Sequence, residues 1–166
     1  MFAPIEMGIM KAFLDIETSF EGEITVLGIY HGDGTIIQLV GREITRSNLL
    51  KSLSGITTIY TYNGSRFDLP IIREKLGIDL DDYFITCDLM YDCWQRNLYG
   101  GLKKVEQMLG IERRLKDVNG WVAMELWDQY EKADNKEALQ VLLQYNREDI
   151  INLPILMEKL RERGGE

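Results

Sequence analysis

Residues 141–153 read VLLQYNREDIINL, and both the fold and the candidate site can be worked out from this stretch. In a helix, Tyr145 and Asp149 are four residues apart and lie one above the other on the same face. Ala138 and Leu142 extend that face towards the N-terminus, which predicts a buried stripe carrying a phenol and a carboxylate. A buried carboxylate needs a partner, and a metal ion shared with other acidic residues would supply one.

Two other parts of the chain offer acidic partners. Residues 9–16 are apolar on both faces, as in a central strand of a sheet covered on both sides, and Asp15 and Glu17 lie at its end. Strand side chains alternate, so these two carboxylates share one face, about 7 Å apart along the chain. Asp68 lies between a strand and a Pro-led helix, where open α/β sheets build their sites. Four carboxylates from three segments are therefore expected to converge.

The remaining pattern predicts an α/β domain. The turn at residues 31–34 joins two strands into an antiparallel hairpin. Asp88 is expected to cap a helix that starts at Leu89. Membership of Asp88 in the acidic site is the weaker alternative. Further strands are predicted at residues 24–30, 35–40, 57–62 and 83–87, and further helices at 45–54, 70–75, 102–109, 121–130 and 135–153.

Three expectations concern the C-terminal half. Pro154 should kink or restart the last helix, and residues 161–166 should fray. Trp121, Met124 and Trp127 occur at helical spacing and are assigned to the core, although exposure would instead favour a platform for stacking bases. Residues 102–116 carry five Lys or Arg against two Glu. Such a run is usually a solvated helix face, and contact with phosphate is the alternative.

Composition limits the class of protein. A chain of 166 residues with 45% hydrophobic content fits one domain over residues 1–166, with its core at about 9–160. It has no basic leader and no run of about 18 apolar residues, which predicts a cytoplasmic protein without membrane contact. Cys87 and Cys93 lack flanking zinc ligands and are expected to stay reduced. His31, at a turn, is expected to be structural or exposed.

The net charge of −8 is unusual for a protein that binds nucleic acid, because Lys and Arg neutralise phosphate in such complexes. Two divalent cations held by four carboxylates would offset half of this net charge and would reverse the sign of the charge at the site. Ligands that are all oxygen, without useful His or Cys, favour Mg²⁺ or Mn²⁺ over zinc. Two such ions stabilise the attacking and leaving oxygens of a phosphoryl displacement. Tyr145 could orient the attacking water.

Three segments together resemble a known family: FLDIET at residues 13–18, NGSRFD at 63–68 and YNRED at 145–149. They are similar, in order and spacing, to the three motifs of the DEDDy 3′–5′ exonucleases, which have an RNase H-like fold. The similarity is greatest to stand-alone YprB-like domains and spans about residues 12–156. Each motif alone is weak evidence for the family. The occurrence of all three in order, on the predicted strand, strand end and helix, is specific.

The resemblance implies a role for each matching residue. Asp15 would bridge two metals, Glu17 and Asp149 would complete the shell of one, and Asp68 would serve the other through water. Tyr145, in place of the His of the DEDDh branch, would position the nucleophilic water. Thr18, Asn63 and Phe67 would contact the substrate, although Phe67 could equally be core. The implied sheet has five strands in the order 3-2-1-4-5, with strand 2 antiparallel and helices on both faces.

The leading hypothesis is therefore a two-metal 3′–5′ exonuclease acting on single-stranded DNA or RNA ends, with unknown protein partners. An endonuclease on the same fold is one alternative, since nothing in a metal site demands a free terminus. A catalytically silent module that binds nucleic acid or a partner is another, and the acidic composition would suit it. The complete acidic set favours an enzyme, because a silent module has no physical reason to gather four carboxylates.

Overall fold

The computed structural model describes residues 10–164, and Ile9, the first residue of the expected central strand, lies outside that range. The strands are β1 (Lys11–Thr18), β2 (Ile24–His31), β3 (Ile36–Val40), β4 (Thr58–Thr61) and β5 (Ile85–Asp88). The helices are α1 (Arg46–Ser52), α2 (Asp68–Leu76), α3 (Leu89–Trp94), α4 (Leu102–Leu109), α5 (Gly120–Ala133) and α6 (Lys136–Gly164). Apart from shifts at element ends, these are the predicted elements.

The five strands form one mixed sheet in the order β3-β2-β1-β4-β5. β2 runs antiparallel to both β1 and β3, whereas β4 runs parallel to β1 and β5 runs parallel to β4. The strand order and the antiparallel β2 confirm the prediction. The carboxyl ends of β1, β4 and β5 consequently meet at one edge of the sheet, where Thr18, Thr61 and Asp88 end their strands.

Side chains of β1 alternate between two apolar layers, which explains why this strand is apolar on both faces. Ala12, Leu14 and Ile16 pack in a core with Leu49 of α1 and Ile72 of α2. Phe13 faces the opposite layer, where α3, α4 and α6 pack, and a neighbouring cluster joins Val26 of β2 to α5 and α6. Asp15 and Glu17 are on the same face of β1 as Phe13, so the strand presents them to the α6 layer.

Two helix ends have residues that favour starting or ending a helix. Thr45 accepts a hydrogen bond from the Asn48 amide at 3.1 Å and so caps α1. Gly77 ends α2 in the left-handed conformation. His31 is structural, since its Nε2 lies 2.8 Å from the Ser52 carbonyl oxygen and donates to it. Cys87 and Cys93 are free thiols.

The last helix is longer than expected. α6 continues through Pro154 to Gly164, so the expectation that the helix restarts at Pro154 is wrong, and residues 161–164 are helical rather than frayed; residues 165 and 166 lie outside the described range. A proline removes one backbone hydrogen bond. Burial of Leu153, Leu156 and Leu160 in the α3–α4 layer holds the helix on both sides of that position.

The stripe of α5 is not uniformly buried either. The Trp121 side chain is 60% exposed at the start of the helix, and its ring packs edge-on against Phe20, with 5.0 Å between the ring centroids. Trp121 is therefore not a core residue. No helix within residues 10–164 has the length and apolarity needed to cross a bilayer.

Candidate metal centre

Three of the four predicted carboxylates come together in space. Asp15 and Glu17 of β1 and Asp149 of α6 each offer an oxygen, and these oxygens lie within 4.8 Å of one another. Glu17 and Asp149 are buried, and Asp15 is partly exposed. Sequence positions more than a hundred residues apart thus meet in one oxygen-lined cluster, which we call the carboxylate cluster.

Asp68 lies beside this cluster rather than within it. It is the first residue of α2, is buried, and accepts a hydrogen bond from the Ile16 amide at 2.9 Å. Its charge contributes to raising the pKa of both Asp15 and Glu17. Asp68 therefore lies close enough to the carboxylate cluster to interact with it electrostatically, and it is anchored to the backbone of β1.

Burial and mutual repulsion disfavour the ionised carboxylates. Burial is the largest cause that raises the pKa of Asp15, followed by the charges of Asp149 and Glu17. Burial likewise raises the pKa of Glu17 well above its usual range. It raises the pKa of Asp68 to about 7, against the lowering effect of the Ile16 amide. It raises the pKa of Asp149 to about 6, against the lowering effect of Arg113. A divalent cation would remove this repulsion, so the donor set fits a hard metal ion.

Tyr145 lies one helical turn before Asp149 and is buried with it. Burial raises the pKa of its phenol, and the charges of Asp149 and Glu17 raise it further. The hydroxyl therefore stays protonated at neutral pH and remains a hydrogen-bond donor. The Nζ of Lys103 and the Cζ of Arg113 lie 5.5 and 5.6 Å from the centroid of its ring.

A row of polar groups across three strands orients Asp15. Asp15 pairs with Gly28 in the β1–β2 register, and Gly28 pairs with Gln38 in the β2–β3 register. The Asn146 amide lies over this row: its Nδ2 donates to Asp15 Oδ2 at 3.0 Å, and its Oδ1 accepts from Gln38 Nε2 at 3.0 Å. A Cβ on Gly28 would come within 2.2 Å of Asn146 Oδ1, so this close approach requires glycine.

Sequence reasoning missed the role of Asn146. The available signal was a glycine inside an otherwise apolar strand, which often marks the close approach of another group. Nothing local to Asn146 distinguishes it from any polar residue of a helix.

Arg113 is the second residue that sequence reasoning missed. It is buried, donates to Asp149, and forms two hydrogen bonds of 2.8 Å with the carboxylate of Glu106. Glu106 is 1% exposed and also accepts from Asn152 at 3.1 Å. The expectation of a solvated basic face is therefore wrong for Glu106 and Arg113, because folding brings both into the interior beside Asp149.

The segment around Asp68 is built on Asp88. Asp88 caps α3 through the Met90 amide at 3.1 Å and accepts from the Asn63 amide at 2.8 Å. Asn63 adopts a left-handed backbone with φ of 59°, and a Cβ on Gly64 would come within 2.2 Å of Thr61 Oγ1. Asp88 thus has the predicted capping role and also holds the turn that leads to Asp68.

The other expected substrate residues lie near these carboxylates in the chain. Thr18 ends β1, and the β1–β2 register shifts between Glu17 and Thr18. Phe67 is 42% exposed, which excludes the core assignment. Asn63 is partly exposed at the carboxyl end of β4.

The comparisons with known proteins agree with this architecture. The RNase_H_2 model of the RNase_H superfamily matches residues 12–161, so the chain belongs to that superfamily and its sheet is RNase H-like. The uncharacterized protein YprB of Bacillus subtilis (strain 168) is 29% identical over 165 residues, covering 85% of this chain and 39% of the relative. The chain thus spans about two-fifths of that relative's length.

A solved structure shows the same fold at lower identity. The family B DNA polymerase from the hyperthermophilic archaeon Pyrobaculum calidifontis aligns with a TM-score of 0.71 and 19% identity, over 96% of this chain and 25% of the polymerase. At this identity the likeness establishes the fold and nothing further.

Proposed function

We propose that this chain is a metal-dependent 3′–5′ exonuclease of the DEDDy type, acting on single-stranded DNA or RNA ends. The observation that carries the proposal is the carboxylate cluster, in which oxygens of Asp15, Glu17 and Asp149 lie within 4.8 Å of one another. Buried carboxylates this close repel one another unless a cation or protons neutralise them. The assignment to a metal-dependent nuclease is also supported by a fold that has nuclease members, by a donor set made only of oxygens and by the three motifs.

The residues divide into metal ligands and a positioning group. Asp15 would contact two divalent ions, Mg²⁺ or Mn²⁺, with Glu17 and Asp149 on one and Asp68 on the other through water. Bound ions of this kind lower the pKa of a water and stabilise charge on phosphate oxygens. The protonated Tyr145 hydroxyl can accept or donate a hydrogen bond and so orient the attacking water. Asn146 keeps the Asp15 carboxylate turned towards the cluster.

Exposed aromatic side chains favour a single-stranded substrate. Phe20 follows β1 three residues after Glu17, and its ring contacts that of Trp121. Phe67 is exposed immediately before Asp68. Unpaired bases stack on such rings without sequence preference. Thr18 and Asn63 are the polar groups proposed to contact the terminal nucleotides.

The test is digestion of matched DNA and RNA oligonucleotides labelled at the 3′ or the 5′ end, with Mg²⁺, Mn²⁺ or chelator. A ladder of 5′-labelled products that shortens stepwise, with early release of the 3′ label, is expected. Internal cuts would identify an endonuclease instead. Absence of any metal-dependent cleavage would leave a binding module and overturn the proposal. The Asp15→Ala and Asp149→Ala variants are expected to abolish turnover and serve as matched negative controls.

The proposal covers this chain as a single domain, with the core at about residues 9–160.

A further inference from the structure

A cavity of about 860 Å³ lies between α4, the segment after it and α6. Five basic side chains line it: Lys103, Arg113, Arg114, Lys116 and Arg147. Its volume falls in the range of about 300–1,000 Å³ that is typical of ligand sites. We call it the basic cavity.

Of the three carboxylates that line the basic cavity, one pairs with one of these cations, and the other two, Glu112 and Glu148, form no ion pair with the described residues. Glu106 is paired with Arg113. The carboxylate of Glu148 accepts from the backbone amides of Arg114 and Leu115 at 2.9 and 3.1 Å. Glu148 therefore holds the loop in place instead of pairing with a side chain. Glu112 also lines the cavity but is exposed to solvent.

Most of the cations are consequently free of acidic partners. Within residues 10–164, no carboxylate oxygen lies within 4.0 Å of the charged groups of Lys103, Arg114, Lys116 or Arg147. The Lys103 ammonium instead donates to the Lys116 carbonyl oxygen at 3.3 Å. Burial lowers the pKa of Lys103, and the charge of Arg113 lowers it further. Five basic side chains against three carboxylates leave a formal charge of +2 among the residues that line the cavity, which favours an anionic ligand.

Arg113 connects the basic cavity to the carboxylate cluster. The same guanidinium lines the cavity and donates to Asp149. Its Nη1 is buried and has no hydrogen-bond partner among the residues that the structure describes. An anion in the cavity would therefore lie next to the side chain that donates to Asp149.

We propose that the basic cavity binds backbone phosphates of the single strand whose end lies at the carboxylate cluster. The choice of ligand rests on the proposed function, since the charges of the cavity by themselves favour any anionic ligand. Phosphate contacts position a strand and carry no base information. The cavity would thus hold the strand during successive cleavages regardless of its sequence, and it gathers basic side chains in a chain whose net charge is −8.

The test measures binding separately from cleavage. A labelled single-stranded oligonucleotide is titrated with the Asp15→Asn protein, in which cleavage is stopped, and fluorescence anisotropy is recorded at several salt concentrations. Arg147→Ala and Arg147→Glu are added to this background, as is the Arg114→Ala/Lys116→Ala pair. The matched control is Lys51→Glu, because Lys51 is exposed on α1 and lies outside the cavity. Parallel titrations use inorganic phosphate and a nucleoside monophosphate.

Arg147→Ala is expected to raise Kd about threefold or more and to reduce the slope of log K against log salt by about 0.7, the value for one phosphate contact on a single strand. Arg147→Glu should raise Kd further, whereas Lys51→Glu should change it less than about twofold. Circular dichroism melting checks that each variant is folded. Equal effects of Arg147→Glu and Lys51→Glu would overturn the inference, as would unchanged salt slopes in all three cavity variants. Saturable binding of phosphate or the nucleotide with no effect on the oligonucleotide would overturn the strand assignment.

The outcome is separable from that of the proposed function. In the protein with Asp15 intact, cavity variants should raise KM more than they lower kcat. If the protein with Asp15 intact shows no cleavage but the cavity variants lose oligonucleotide affinity, the cavity is supported and the exonuclease is refuted. If that protein cleaves, and the cavity variants keep its KM and its salt dependence, the exonuclease is supported and the cavity is refuted.

Discussion

Arg113 donates a hydrogen bond to Asp149 across 36 positions of sequence, and the same guanidinium is held by the buried carboxylate of Glu106. Arg113, held by Glu106, places a fixed positive charge beside Asp149, a carboxylate that a metal ion would also bind. Asp149 is consequently oriented before any ion arrives, by a side chain that belongs to none of the three motifs.

Arg113→Ala is expected to destabilise the metal-free protein by about 3–5 kcal/mol, because it leaves the buried Glu106 carboxylate without its counter-charge. Urea unfolding followed by circular dichroism measures this. The control is Arg114→Ala, which removes an exposed neighbour and should change the free energy of unfolding by no more than about 0.5 kcal/mol. A near-neutral Arg113→Ala would show that Glu106 does not depend on the pair.

Gly28→Ala should disrupt the polar row that holds Asp15. The new Cβ would lie 2.2 Å from Asn146 Oδ1, so Asn146 must move away from Asp15 and Gln38. We expect a loss of about 1–3 kcal/mol in unfolding free energy, as for other forced overpacking, together with weaker Mn²⁺ binding by calorimetry. Gly120→Ala is the matched control, since a Cβ there meets nothing within 4 Å. Unchanged Mn²⁺ affinity in Gly28→Ala would contradict a positioning role for Asn146.

Tyr145→Phe should lower kcat by about 10- to 10³-fold with a smaller effect on KM, as expected from losing a group that positions water. Steady-state kinetics on a short oligonucleotide with Mg²⁺ or Mn²⁺ would measure it. Tyr83→Phe is the control. Tyr83 is 57% exposed and lies before the amino end of β5, whereas Asp15 and Glu17 lie towards the carboxyl end of β1. A kcat equal to that of the unmodified protein would remove Tyr145 from the reaction.

The stability of the metal-free protein should fall as pH rises from about 4 to about 7. Burial raises the folded-state pKa of Asp68 to about 7 and that of Asp149 to about 6. The corresponding unfolded value is about 3.9. The folded state therefore binds more protons than the unfolded state in this window, and its free energy of unfolding declines as those protons leave.

Thermal melting with chelator, recorded from pH 4 to 8, would measure this decline, and Asp68→Asn should reduce it. Mn²⁺ should raise the melting temperature more at pH 8 than at pH 5, because metal competes with protons for the same carboxylates. A stability that increases with pH across this window would contradict the clustering of ionisable carboxyls.

Trp121→Ala should weaken binding of single-stranded oligonucleotides. Stacking of one base on an aromatic side chain contributes about 1–3 kcal/mol, which corresponds to a rise in Kd of about fivefold or more. Anisotropy titration in the Asp15→Asn background measures it. Tyr83→Ala removes an equally exposed ring away from the carboxylate cluster and should leave Kd within about twofold. Equal losses in both variants would indicate that Trp121 has no specific contact with bases.

The sequence by itself determined the sheet elements and the three acidic segments. Alternation in a strand puts Asp15 and Glu17 on one face, and the helical repeat puts Tyr145 above Asp149, because both follow from backbone geometry within a few residues. The strand order came from resemblance to a family, and the structure has that order.

Only the tertiary structure decided which distant polar groups meet. Asn146 reaches Asp15 over Gly28, Arg113 lies between Glu106 and Asp149, and Trp121 stays exposed on α5. Each depends on how helices pack on the sheet, and a local period cannot show which partner will lie opposite a given side chain. The energy of a buried charge depends on that partner, so the electrostatics of the site emerge only when the chain is folded.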